Sequence, residues 1–218
     1  EKLIQKWTDV NLLNVQYRMH QSIMEFSNQQ FYGGQLQADE SVRNHTLTYE
    51  GEHPMTFVDT VGCGFEEKVH PEYKSRYNPD EFQILCEHLY QLLEPYDIDY
   101  TPSIGIISPY REQVEYITDA LQEDPLLQDR PITVNTIDGF QGQEREVIYI
   151  SLVRSNSKSQ IGFLKDTRRM NVAMTRAKKL LVIIGDSGTI GRDKFYEKFL
   201  NYVEEHGLYR TAWEFMKT

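Results

Sequence analysis

The run Leu180 to Ile184 is apolar at every position and ends in Gly185-Asp186, and it follows an amphipathic segment that begins at Gly162; together they read GFLKDTRRMNVAMTRAKKLLVIIGD. A strand with no polar alternation has no solvated face, so it belongs in a parallel sheet covered on both sides. Upstream of it Met170, Ala173, Met174 and Ala177 fall at i, i+3, i+4 and i+7. That spacing predicts one apolar stripe on a helix of about three turns, with Asp166 placed to cap it. Arg169 and Arg176 are seven residues apart, which on such a helix puts them at nearly one azimuth at the edge of the stripe. Guanidinium groups there need an anion nearby. A helix feeding a buried strand predicts an α/β fold.

The rest of the chain repeats the alternation. Strands are expected near 55–59, 103–108, 132–135, 147–153 and 179–184. Ile23, Met24, Phe26 and Phe31 line one side of a helix that Gly33-Gly34 terminates. Asn78 or Asp80 starts a second helix, with Phe82, Leu85, Cys86, Leu89 and Leu92-Leu93 inward until Pro95. Pro109 opens a third, YREQVEYITDAL. A fourth, DKFYEKFLNYVEEHG, turns Phe195, Phe199, Tyr202 and Val203 inward and stops at Gly207. Glu66 to Tyr77 has neither helical nor strand period and is expected to be a surface loop. The final LYRTAWEFMKT is expected to form a small closing element. Strand and helix in turn, with right-handed crossovers, imply a three-layer parallel sheet flanked by helices.

Composition narrows the function classes. The chain has 218 residues, 39% hydrophobic and 26% charged, as in ordinary globular proteins. No apolar run approaches the ~20 residues of a membrane span, and the first residues, EKLIQKWTDV, lack a signal-peptide core, so no membrane partner and a cytoplasmic or otherwise intracellular location are expected. Cys63 and Cys86 are too few for a disulfide framework, and His45, His53 and His70 lack ligand spacing, so no metal site is expected. A net charge of −10 argues against gripping nucleic acid by bulk electrostatics. Local clustering of Lys165, Arg168, Arg169, Arg176, Lys178 and Lys179 offsets that objection.

Four segments carry a family resemblance, in the family's order, over residues 13 to 186. They are LNVQYRMHQSIMEFSNQQFYGGQL, SPYREQ, VNTIDGFQGQEREVIYISLVRSN and RRMNVAMTRAKKLLVIIGD. The chain resembles superfamily 1 helicases of the branch that contains the nonsense-mediated-decay RNA helicase and the replication nuclease-helicase. It departs from the pattern at Gln21, where the family usually has proline, and at Phe26-Ser27, which lacks an intervening proline. Both departures bear on local rigidity rather than on chemistry.

The resemblance implies a P-loop NTPase (RecA-like) fold and assigns roles. Arg176 corresponds to the arginine finger that reaches the γ-phosphate of ATP, and Arg18 to a second γ-phosphate contact. Tyr17 lies near the adenine, and Gly142 and Glu144 lie beside the ribose and phosphates. Ser108, Pro109 and Tyr110, in the turn of SPYREQ, and Thr136 correspond to contacts with the nucleic-acid strand. These chemistries suit the residue types: guanidinium pairs with phosphate, aromatic faces stack on bases, and small hydroxyls at a helix start take a phosphate. Taken one at a time, an arginine on a helix or a glycine in a turn has an ordinary structural explanation. The length and order of the match decide otherwise.

The sequence contains no G-x-x-x-x-G-K-[ST] phosphate loop. In the family that loop, with most of the ATP and Mg²⁺ site, lies on a first RecA-like domain upstream of QYRMH. Residues 1–12 are therefore expected to be a linker from that domain, and residues 13–218 the second RecA-like domain, inactive by itself. The expected whole is an ATP-dependent helicase acting on single-stranded DNA or RNA. A non-catalytic interaction module with a helicase-like fold is the alternative, and retention of Arg18, Glu144 and Arg176 speaks against it. Against a stand-alone Rossmann enzyme, the third reading, stands the VGCG turn after Met55–Asp59, which is too short and leads to no helix.

Overall fold

Six parallel strands form the spine of the computed structural model, which describes residues 13–47 and 52–216. The strands are β1 (Met55–Asp59), β2 (Ile104–Ser108), β3 (Ile132–Thr136), β4 (Arg145–Ser151), β5 (Ala177–Gly185) and β6 (Leu208–Thr211). Their order across the sheet is β6-β1-β5-β4-β2-β3. The five longer helices are α1 (Gln21–Phe31), α2 (Pro79–Leu93), α3 (Arg111–Glu123), α4 (Thr167–Met174) and α5 (Lys194–His206). The expected linker, 1–12, lies outside the described residues.

The central strands are apolar on both faces because both are covered. Ile148 and Ile150 of β4, with Leu181 and Ile183 of β5, pack beneath α1, α4 and α5 against Phe26, Met170 and Phe199. The intervening Val147, Tyr149, Leu180, Val182 and Ile184 pack on the other face against Phe82, Leu85 and Leu89 of α2 and Ile117 of α3. Side chains of a strand alternate between faces, so a continuous apolar run fills two cores at once. The result is the three-layer arrangement that the sequence implied.

Local signals account for several ends. Asn78 caps α2 by accepting from the Glu81 N–H at 3.0 Å, with Pro79 in the first turn, where its missing donor costs nothing. Asp166 caps α4 through the Arg169 N–H. Other expectations need correction. Helix α4 ends at Met174 rather than running three turns, and Ala177 is the first residue of β5, paired with Arg145 of β4. Arg176 therefore lies in the turn after the helix, and the shared azimuth expected for Arg169 and Arg176 does not exist. Arg169 instead pairs with Asp138. Helix α3 begins at Arg111, with Tyr110 at the N-cap position making no side-chain cap, and Pro109 lies in the turn before it.

The segment Leu208–Thr211, expected only as part of a closing element, is an edge strand paired with β1. It is short and half-buried, so no clear alternation marked it. Strand β4 ends at Ser151, not at Val153, which has φ +69°. Within Glu66 to Tyr77 a two-residue antiparallel pair, Lys68–Val69 with Arg76–Tyr77, gives the loop a base.

Candidate functional site

Three segments meet at the amino ends of β4 and β5. The first leads into α1 and is fixed by the pairing of Val15–Gln16 with Gln37–Ala38 and by the His20 N–H donating to the Lys178 carbonyl at 2.8 Å. It carries Arg18, whose backbone N–H donates to Gln16 Oε1 at 2.9 Å. The second is the crossover from β3 to β4, which ends in Glu144, and the third is the turn Thr175-Arg176 between α4 and β5.

Arg18 Nε donates to Glu144 Oε2 at 2.5 Å, and its Nη1 to the Thr175 carbonyl at 3.2 Å. Lys178 Nζ reaches the other carboxylate oxygen, Glu144 Oε1, at 2.7 Å. Arg176 Nε donates to the Val172 carbonyl at 2.9 Å, and its Nη1 to the Gln143 carbonyl at 3.3 Å. Arg18 and Arg176 thus converge on one rim. Arg18 and Lys178 share one carboxylate, and Arg176 beside them has none of its own, which leaves a surplus of positive charge. The Lys178 ammonium foremost, helped by Arg18, holds the Glu144 carboxyl below its usual range. Burial and then the Arg18 charge push the Arg176 guanidinium in the direction of losing its proton. Tyr17 stands beside this rim with its side chain 69% exposed.

The crossover that carries Glu144 is anchored by Phe140, which is fully buried. It lies where a side chain on Gly105 of β2 would be: a Cβ there would sit 2.5 Å from Phe140 Cζ and 2.7 Å from Ile148 Cδ1. Gly142 takes φ +82°, open to glycine and strained for other residues. Thr136 ends β3 at the carboxyl edge of the sheet, whereas Glu144 precedes β4 at the amino edge. The loop therefore spans the sheet and joins its two rims.

The carboxyl edge holds the other predicted contacts. The Ser108 hydroxyl is buried and accepts from the Tyr110 N–H at 3.4 Å, and Pro109 is half-buried. The Thr136 hydroxyl accepts from the Gly139 N–H at 3.2 Å. Tyr110 does not face solvent. Its side chain is 2% exposed, and its hydroxyl accepts from Arg154 Nη1 at 3.2 Å and from the Phe163 N–H at 3.4 Å. Its ring is a support, not an open surface for a ligand. Burial of that ring depends on segments 44 and 53 residues away, so the local turn pattern could not reveal it.

Sequence reasoning also passed over Glu67 and Arg154, and it counted Lys178 only within a basic cluster, not as a partner of Glu144. Glu67 Oε2 accepts from Arg154 Nε at 2.7 Å, the Ser155 N–H at 3.0 Å and Asn156 Nδ2 at 3.1 Å, while its Oε1 accepts from Arg76 Nε at 2.8 Å. The V-R-S-N sequence after β4 was the available signal. Its acidic partner lies 87 positions earlier in an irregular segment.

The donor set at the amino rim suits the phosphates of a nucleoside triphosphate, since charge-assisted guanidinium and ammonium bonds to phosphate are strong. It does not suit Mg²⁺: among the described residues no cluster of His, Cys, Asp or Glu is placed to hold a metal ion. Among those residues, too, no helix is long and apolar enough to cross a membrane.

The sequence is similar to those of known proteins. The sequence profile of a family described as "AAA domain" matches residues 1–188. The chain is 35% identical over 226 residues to the DNA-binding protein SMUBP-2 of Mesocricetus auratus, covering 99% of this chain and 22% of that protein. It is 38% identical over 222 residues to the DNA polymerase alpha-associated DNA helicase A of Saccharomyces cerevisiae, covering 94% and 32%. A protein of Methanocaldococcus jannaschii named as an uncharacterized ATP-dependent helicase is 37% identical over 225 residues, again covering 94% and 32%. The chain thus spans only 22% to 32% of the length of these curated relatives.

Proposed function

Since the chain belongs to the superfamily 1 helicases, in the branch of the nonsense-mediated-decay RNA helicase and the replication nuclease-helicase, and carries a RecA-like helicase motor domain, we propose that it is the second half of an ATP-driven motor. In this reading a first RecA-like domain of the same protein binds ATP with Mg²⁺. Residues 13–218 close on that nucleotide and move along single-stranded DNA or RNA. The observation that carries the reading is the convergence of Arg18 and Arg176, with Lys178, around Glu144.

Bound ATP supplies the phosphoryl group, and this chain supplies positive charge where negative charge grows. Arg176 is held by two backbone carbonyls, Val172 and Gln143, so its guanidinium is positioned without a carboxylate partner of its own. That leaves it ready for a phosphate. Arg18 is oriented by Glu144 and the Thr175 carbonyl. Such preorganised donors lower the barrier because they need no rearrangement at the moment of transfer. Tyr17, exposed beside them, offers its ring to the adenine, and Gly142 allows close backbone approach to the ribose. At the opposite rim Ser108, Pro109 and Thr136 lie along the path of the strand, with Tyr110 acting from behind. The crossover 137–144 joins the two rims and so offers a route from nucleotide state to strand grip.

The test is ATP hydrolysis by the full-length protein with and without single-stranded nucleic acid. Loss of turnover in Arg176→Ala and in Arg18→Ala supports the reading; turnover near wild type in both rejects it. The isolated chain is expected to hydrolyse no ATP and to bind oligonucleotides weakly and with strong dependence on salt.

A further inference from the structure

We propose that Phe163 is a stacking platform for a base of single-stranded nucleic acid, with Lys165 beside it as a phosphate contact. The proposal rests on the motor reading, in which the carboxyl rim of the sheet meets the strand. Large aromatic side chains usually bury most of their surface, yet Phe163 is 62% exposed. Its exposure is built. The 3₁₀ turn Gly162–Lys165 is pinned on one side by Leu164, which is buried and whose carbonyl accepts from the Tyr196 hydroxyl at 2.9 Å. On the other side Tyr110 packs its ring 5.3 Å from the Phe163 ring, tilted by 39°, and binds the Phe163 N–H through its hydroxyl.

Gly162 is what lets the turn close. It has φ +55°, and a Cβ there would lie 2.0 Å from Arg154 Nη1 and 2.6 Å from the Tyr110 hydroxyl. The inner face of Phe163 is therefore fixed while the outer face stays open. A ring held in this way loses little freedom when a base stacks on it.

Charge identifies the occupant. Lys158, Lys165 and Arg168 are exposed around the turn, and among the described residues none of them forms an ion pair. A recess of about 380 Å³ opens at the same turn, between Arg76, Arg154, Gly162 and Lys165, and its lining includes three basic residues and no acidic one. Arg76 and Arg154 both bind Glu67, so Lys165 is the basic group there that remains for a ligand. In a chain of net charge −10, a local basic rim around an open aromatic face fits a phosphate backbone with accessible bases. A duplex would hide those base faces. An apolar helix would find a single ring rather than a groove. Stacking of this kind reads the presence of a base and not its identity.

The test is a titration of the 218-residue chain into an oligothymidine carrying one 2-aminopurine, at low salt, following both anisotropy of an end label and 2-aminopurine fluorescence. Wild type is expected to bind and to quench the fluorescence. Phe163→Ala should bind roughly 10-fold more weakly and lose the quenching. Phe163→Leu, which keeps apolar bulk, should lose the quenching too, whereas Phe163→Trp should keep it. Lys165→Gln should keep the quenching and reduce the slope of log affinity against log salt by about 0.7. Circular dichroism matching wild type checks that each variant is folded. Phe163→Ala that binds and quenches like wild type overturns the platform and leaves the motor reading standing. Failure of wild type to bind the oligonucleotide overturns both the platform and this domain's share in holding the strand.

Discussion

Arg18 Nε donates to Glu144 Oε2 at 2.5 Å although the two residues are 126 positions apart in sequence. Around that pair Lys178 takes the second carboxylate oxygen and Arg176 hangs from the carbonyl of Gln143, the residue just before Glu144. One half-exposed carboxylate thus organises the positive rim.

If Arg176 is the group that meets charge developing on the transferred phosphoryl, its removal acts on the transition state. Arg176→Ala in the full-length protein should lower kcat for ATP hydrolysis by ~10³ to 10⁵, as for other finger arginines. Steady-state hydrolysis at saturating ATP checks this. Arg176→Lys should restore little, because a single ammonium cannot reproduce the forked guanidinium donors.

Glu144→Ala separates positioning from stability. Its partners are roughly as solvent-accessible as Glu144 itself, so loss of the two ion pairs should change unfolding free energy by under ~1 kcal/mol. Turnover of the full-length protein should nevertheless fall, because Arg18 and Lys178 lose the group that orients them. The carboxyl is held below its usual range, so its small contribution to stability is present above the ordinary carboxylate pKa and disappears as pH falls through the lowered one. Steady-state ATP hydrolysis measures the turnover, and urea unfolding of variant and wild type at neutral pH and below pH 4.5 measures the stability.

The crossover depends on steric room at Gly105. Gly105→Ala places a methyl 2.5 Å from Phe140 Cζ in a filled core and should cost about 1–3 kcal/mol in unfolding free energy. Phe140→Ala should cost about 3–5 kcal/mol through the cavity it leaves. Denaturant unfolding of the isolated chain reads both. An unchanged midpoint in Gly105→Ala would contradict the anchoring of the loop by close packing.

Glu81 is fully buried, and that burial pushes its carboxyl up to about 8, although it accepts from the Ser151 hydroxyl at 2.5 Å and from the Val153 N–H at 2.9 Å. Between about pH 4.5 and about pH 8 the folded chain keeps a proton there that the unfolded chain has released. Stability from this group should therefore fall as pH rises across that window, by at most ~1.4 kcal/mol per pH unit. Glu81→Gln should remove the fall. The difference between the unfolding free energies of variant and wild type, followed from pH 5 to pH 8, isolates it from other groups. His20 is the main competitor: burial, then His45 and His53, lower it to about 4, so stability from it rises with pH up to its ordinary range.

Much of this protein is legible in its sequence. Runs such as IGII and LLVII are apolar at every step, and only a strand with both faces covered satisfies that pattern, so the layered parallel sheet followed from local chemistry. The cap Asp166 was legible for the same reason, and Asn78 was one of two candidates, since a cap is a relation between residues a few positions apart. Family membership followed from the order of four segments, which needs no knowledge of distance.

The long-range relations were decided by the tertiary structure. Helix α4 stops at Met174 because Ala177 is drawn into pairing with Arg145, a partner in another segment, and a helical stripe of four positions cannot report that competition. Tyr110 faces inward, Phe163 outward, and Glu144 gathers Arg18 and Lys178, because segments far apart in the chain are pressed onto the same rim of the sheet. Local periodicity tells which face of an element is apolar; only the packed sheet brings distant polar groups within bonding distance, and that distance makes a cluster of charges into a site.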